Sequence, residues 1–110
     1  MWAPALAALQ ASGKVDEHGQ LRRDAFRDDT IDTTLTKVVL PDGVASIEGG
    51  GDYGEGAFAG CSSLREIVLP DTLSAIGYAA FADCSSLQEI ALPNTLAAIG
   101  DYAFAGCTSL

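Results

Sequence analysis

The chain has few basic residues. Lys and Arg number 6 among its 110 residues, against 15 Asp and Glu, and the formal net charge is −9. From residue 36 onward there are 2 basic and 9 acidic residues, a balance of 2 − 9 = −7. Such a surface repels nucleic-acid phosphates and anionic lipids, because like charge raises the cost of each close approach. We therefore do not expect nucleic acid as a partner.

Long apolar runs are also missing. No stretch of about 18 apolar residues occurs, so the sequence predicts no membrane span. The apolar stretch from Trp2 to Leu9 lacks the preceding positive charge and the clear small-residue cleavage site of a secretion signal. An N-terminal helix explains it better, since Pro4 suits a first turn and Gly13 can end the helix. The compartment stays open, with the cytoplasm slightly favoured.

What the chain does have is an internal repeat. The segment AFAGCSSLREIVLPDTLSAIGYA (57–79) is followed by AFADCSSLQEIALPNTLAAIGDY (80–102), and AFAGCTSL (103–110) begins a further copy. A period between 20 and 29 residues is typical of leucine-rich solenoids. Looser copies, interrupted by extra residues, extend the pattern back to Ala25. The sequence therefore predicts an N-terminal segment or helical cap over 1–24 and a repeat solenoid over 25–110, with three strand-bearing coils and an unfinished fourth.

Three segments carry the spacing L-x-x-I-x-L followed by proline: LREIVLP at 64–70, LQEIALP at 87–93 and, with valine in place of isoleucine, LTKVVLP at 35–41. An inward Ile67 between an outward Glu66 and an outward Val68 predicts a short strand, which ends at the proline. Stacked coils would pair these strands into a parallel sheet on one face. The Ala-Phe-Ala segments predict turns and short helical segments on the convex face. Each is followed by a residue that tolerates a left-handed backbone, namely Gly60, Asp83 and Gly106.

The sequence holds three cysteines and one histidine. Cys61, Cys84 and Cys107 lie one repeat apart, so stacked coils would spread them in a row about 10 Å long rather than around one zinc ion. We expect small core residues, with Cys107 the most exposed. An odd number also weighs against a secreted disulfide framework. Because His18 lies outside the repeats, the paired Ser and Thr hydroxyls have no base. We predict no catalytic residue, no metal and no cofactor.

Two groups of side chains that carry oxygen ligands raise the question of calcium. One follows the strand prolines and consists of Asp42, Asp71 and Asn94; the other consists of Asp28, Asp29 and Asp32. Carboxylate oxygens are ligands that calcium prefers, but neither group has the dense 1-3-5 spacing of a calcium loop. Solvated turn carboxylates are therefore favoured, and ion binding by the first group stays open.

The outward strand positions form the predicted protein-binding face. They fall into three rows across the sheet: Thr36, Arg65 and Gln88; Lys37, Glu66 and Glu89; Val39, Val68 and Ala91. A small apolar row beside a polar row offers a protein ligand apolar contact for affinity and charge for register. The alternative, given equal weight, is an ordinary solvated sheet face.

The two full copies resemble the BspA-like class of leucine-rich repeats, whose coil has about 23 residues. The resemblance covers Ala25 to Leu110 and is most specific from Ala57 onward. It implies a curved solenoid that binds proteins, often in surface or secreted molecules of bacteria and protists, and it implies neither enzymatic chemistry nor a cofactor.

Two functional interpretations follow. The first is a non-catalytic protein–protein interaction module that uses the strand face. The second is a structural or assembly fragment of a longer, adhesin-like repeat protein. Because the last copy stops at Leu110 before its strand, we expect that fragment to self-associate through its uncapped C-terminal coil.

Overall fold

The computed structural model describes residues 3–23, 25, 36–50 and 56–110. The Asp28, Asp29 and Asp32 group lies outside these ranges. Within them the chain forms one helix, α1 (Leu6–Ala11), and seven short strands. The strands are β1 (Gln20–Leu21), β2 (Lys37–Val39), β3 (Ser46–Ile47), β4 (Glu66–Val68), β5 (Ala75–Ile76), β6 (Glu89–Ala91) and β7 (Ala98–Ile99).

The strands form two parallel sheets. The three-stranded sheet has the order β2-β4-β6, and its strands are those predicted from the L-x-x-I-x-L spacing. The four-stranded sheet has the order β1-β3-β5-β7 and was not predicted. Equivalent positions lie opposite each other in both sheets, as with Ile67 and Ile90 or Ile47 and Ile76. The parallel pairing of successive copies is therefore confirmed.

A stack of phenylalanine rings runs through the core. Phe58 and Phe81 lie 5.1 Å apart between ring centroids, with an interplanar angle of 3°. Phe81 and Phe104 repeat the arrangement at 5.4 Å and 5°. Phe58 and Phe81 are fully buried, while Phe104 is half-buried. Each such aromatic contact adds about 0.5–1.5 kcal/mol beyond the burial of apolar area.

The segments around these phenylalanines are turns, so the prediction of short helical segments there was wrong for the described part of the chain. Some of their backbone N–H groups bond to the next copy: Phe58 N donates to Ala80 O (2.8 Å) and Phe81 N to Ala103 O (2.8 Å). The N–H groups that follow them, on Ala59 and Ala82, donate within their own turns instead. The predicted left-handed residues are confirmed, with φ of +81° at Gly60 and +62° at Asp83. A left-handed residue ends the turn before a helix can propagate.

The N-terminal segment packs against the first repeat. Helix α1 buries Leu9 and half-buries Leu6, and Gly13, with φ +79°, follows it. The predicted helix is therefore confirmed, although Pro4 precedes its first turn instead of lying within it. Strand β1 pairs with β3, so residues 20–21 of the segment predicted as a cap continue the four-stranded sheet. No helix in the described ranges is long and apolar enough to span a bilayer.

Candidate functional site

The strand face brings the predicted rows together. All nine predicted residues lie in the described ranges. Strand register aligns Lys37 with Glu66 and then Glu89, and it aligns the Val39, Val68 and Ala91 positions in the same way. The third row, Thr36, Arg65 and Gln88, is linked through the backbone. Arg65 N donates to Thr36 O (2.8 Å), and Gln88 N donates to Arg65 O (3.0 Å).

Alternation along each strand separates this face from the core. Val38 and Ile67, at the strand centres, are buried, whereas Val68 beside them is 39% exposed and Ala91 is exposed. Val39 is half-buried. The outward row is therefore apolar and available to a ligand on β4 and β6.

The charges on the face are of both signs. Lys37 Nζ lies 3.6 Å from Glu66 Oε2, and both side chains are partly exposed. Glu89 continues the row on β6 and forms no ion pair with any residue in the described part of the chain. Lys37 and Arg65 are the two basic residues found from position 36 onward, and both belong to the predicted rows of this face. Charge therefore changes sign across the sheet, from Lys37 on β2 to Glu89 on β6.

A shallow groove of about 230 Å³ lies between β4 and β6. Two carboxylates, Glu66 and Glu89, line one part of it, and Val68 and Ala91 line another. Because a parallel sheet spaces its strands about 4.8 Å apart, the two register-matched glutamates are close neighbours of like charge. The groove thus combines an acidic end with an apolar wall.

The cysteine row is structural, as predicted. Cys61 and Cys84 are buried and Cys107 is half-buried, and all three are thiols. Cys84 Sγ donates to Phe58 O (3.1 Å), and Cys107 Sγ donates to Phe81 O (3.1 Å), so each thiol caps a turn in the preceding copy. Burial, and then the neighbouring thiols, raise the pKa of Cys84 well above its ordinary value. Burial also raises the pKa of Cys107. Neutral thiols of this kind are poor nucleophiles.

The turns after the three-stranded sheet hold copies together through threonines. Thr72 Oγ1 accepts a hydrogen bond from Gly43 N (3.0 Å) and donates one to Val44 O (2.9 Å). Thr95 Oγ1 donates to Leu73 O (2.8 Å). These bonds were not predicted, although the recurrence of threonine one repeat apart was a usable signal.

The first of the two groups considered for calcium lies beside these threonines and is open to solvent. Asp42, Asp71 and Asn94 are all exposed. Across the described ranges, no group of three or more His, Cys, Asp or Glu side chains is placed to hold a metal ion.

A second hollow, of about 520 Å³, lies beside the N-terminal helix and includes Asp16 and Arg22. Asp16 Oδ1 accepts hydrogen bonds from His18 N (2.8 Å) and Gln20 N (2.9 Å). The bond from Gln20 is the main reason that the pKa of Asp16 lies below its ordinary value. This carboxylate therefore shapes the turn that leads into β1.

Two tyrosines are exposed on the turns of the repeats. Tyr78 and Tyr102 meet edge to face, with ring centroids 5.6 Å apart. Both rings are exposed to solvent, so they contact each other at the surface and are not buried between copies. Tyr53 lies outside the described ranges.

Comparison with known protein families shows what the chain is similar to. A family model described as a BspA type leucine rich repeat region (6 copies) matches residues 20–110. The match begins at β1, before the Ala25 at which the repeat was predicted to start. Neither the curated proteins nor the solved structures give a match.

Proposed function

The chain belongs to the BspA-type leucine-rich repeat family, and we propose that it is a non-catalytic protein-interaction module. In this proposal the copies form the coils of a solenoid, the three-stranded sheet is its binding face, and α1 caps its N-terminal end. Repeat families of this architecture use extended sheet faces for binding, because stacking places equivalent side chains in rows.

The observation that carries the proposal is the register of the outward rows. Val39, Val68 and Ala91 form an apolar row directly beside the charged row of Lys37, Glu66 and Glu89. Protein interfaces combine apolar contact with polar groups that fix orientation, and the exposed Val68 offers the former.

A phage-displayed peptide library selected against the chain tests this proposal. The face variant carries Val68→Glu and Ala91→Lys, which leave the net charge unchanged. The matched control variant carries Thr108→Glu and Ala97→Lys, at exposed positions outside the three-stranded sheet. We expect selected peptides to lose binding to the face variant alone, with its melting temperature preserved. Peptides that bind both variants equally would contradict the proposal.

A second candidate function is assembly through the last described copy. Positions that are buried in one copy are exposed in the next: Ile76 is 2% exposed and Ile99 is 48%, while Leu69 is 8% and Leu92 is 45%. We propose that a second chain covers this apolar surface. Sedimentation velocity across a concentration series should show association of the chain but not of a variant with Leu92→Glu and Ile99→Glu. A monomeric chain at about 100 µM, well above the Kd of a specific protein pair, would refute this candidate.

A further inference from the structure

We propose that the groove between β4 and β6 receives a lysine or arginine side chain of the protein partner. The inference rests on the proposed function, since it names the chemistry of the residue that anchors the partner to the strand face. Its basis is the combination of two carboxylates and an apolar wall in one groove.

The charges of the face favour a cation at this position. Lys37 lies on the β2 side of Glu66, at 3.6 Å, and Arg65, the other cation of the face, forms no ion pair with Glu66 or Glu89. Glu89 has no ionic partner in the described ranges, and its register match to Glu66 places like charges side by side. Like charges opposite each other on neighbouring strands are destabilising, and a cation between them relieves that repulsion. The overall charge of −9 also steers cationic partners toward the chain.

The apolar wall favours a long side chain over a small cation. Val68 and Ala91 lie two residues along the strands from the two glutamates, on the same face. Lysine and arginine bury their methylene stems along apolar surface while the charged head reaches polar groups. A stem against Val68 and Ala91 with its head at Glu66 and Glu89 satisfies both parts of the groove.

An NMR titration with a short peptide tests the anchor. The probe is the heptapeptide Gly-Val-Gly-Arg-Gly-Val-Gly, and the control peptide has glutamine in place of arginine. We expect the arginine peptide to shift the amide signals of β4 and β6, and the glutamine peptide to leave them unchanged. Added salt should weaken the binding, because it screens the charges.

A pair of charge-matched variants separates a specific anchor from general attraction to an acidic protein. Glu66→Gln with Glu89→Gln removes two charges from the groove, and Glu17→Gln with Asp101→Asn removes two exposed charges elsewhere. We expect roughly a two- to fivefold loss of affinity per groove carboxylate, the size typical of partly exposed pairs, and little change in the control.

Three results would overturn the anchor: no shifts in β4 and β6, shifts spread equally over other acidic positions, or equal weakening by both variants. If library peptides nevertheless depend on Val68 and Ala91, the binding face stands and only its preference for a cation fails. If those peptides ignore the face, the proposed function fails as well.

Discussion

Gly77→Ala should destabilise the protein strongly, because two copies touch backbone to backbone at this glycine. An added Cβ would overlap Gly49 N, lie 2.5 Å from Gly49 Cα and lie 3.0 Å from Ile47 O. All three are backbone atoms, so no side chain can rotate away. Restoring ordinary contact with Gly49 Cα, from 2.5 Å to about 3.4 Å, requires the copies to separate locally by about 0.9 Å.

That separation affects the hydrogen bonds that cross between the copies. Gly77 N donates to Ile47 O at 2.9 Å, and Gly50 N donates to Tyr78 O at 2.7 Å. Overpacking costs about 1–3 kcal/mol, and a weakened buried hydrogen bond adds about 1–3 kcal/mol. We therefore expect a loss of about 2–6 kcal/mol. For a chain of this size, even a loss of about 2 kcal/mol lowers the melting temperature by roughly 8–16 °C.

Gly60→Ala is the matched control for this substitution. An added Cβ at Gly60 meets no atom within 4 Å, but its φ of +81° is unfavourable for alanine. That strain costs about 1–2 kcal/mol, and the stiffer unfolded chain returns about 0.4–1 kcal/mol. Circular dichroism melts and urea titrations of both variants measure the difference. A Gly77→Ala loss equal to or smaller than that of Gly60→Ala would refute the backbone-contact argument.

Three further predictions concern the core and the turns. Phe81→Ala should lose about 3–5 kcal/mol of unfolding free energy in urea. Phe104→Ala should lose less because its ring is only half-buried, and equal losses would contradict this argument from burial. Thr72→Val should lose about 1–3 kcal/mol because both of its inter-copy hydrogen bonds disappear, whereas Thr72→Ser should retain most of the stability in the same titration. The raised pKa of Cys84 means that above its ordinary value of 9.0 the unfolded chain ionises first. The free energy of unfolding should then fall as pH rises, by at most about 1.4 kcal/mol per pH unit. Urea titrations from pH 8 to 10 should show a shallower fall for Cys84→Ala. Identical slopes of unfolding free energy against pH in the two proteins would exclude this contribution.

The three-stranded sheet could be predicted because its strands are long enough to show alternation. Glu66, Ile67 and Val68 alternate outward and inward, and proline marks the end of the strand. The four-stranded sheet was missed because its strands have two residues, too few to display a period of two.

The turns around phenylalanine were predicted as helical for a related reason. Ala-Phe-Ala is locally compatible with a helix, and the local sequence does not reveal where a backbone N–H finds its acceptor. In the structure the acceptor of Phe58 N is Ala80 O, 22 residues away. Partners at that distance override local preference.

The rows of the candidate site could be predicted from the sequence distance between equivalent residues, because residues one repeat apart lie opposite each other on neighbouring strands. Residues 66 and 89 differ by one repeat, so their adjacency was available from the sequence. The groove between them was not, since its depth depends on how far the backbone of each copy lies from the next. Spacing likewise gave no measure of how closely Lys37 approaches Glu66.

The parallel register has a consequence for the kinetics of folding. Paired strand residues are 23 to 29 positions apart in the chain: Glu66 pairs with Glu89, and Lys37 pairs with Glu66. The first pairing of two copies must close such a loop before any hydrogen bond between the strands can form. The entropy lost in closing the loop is not yet offset, so initiation is slow. Each later copy docks on an edge that is already formed, so growth is fast. Folding should therefore begin with one slow pairing of two copies and continue by fast addition of further copies. Substitutions at the first interface to form should control its rate.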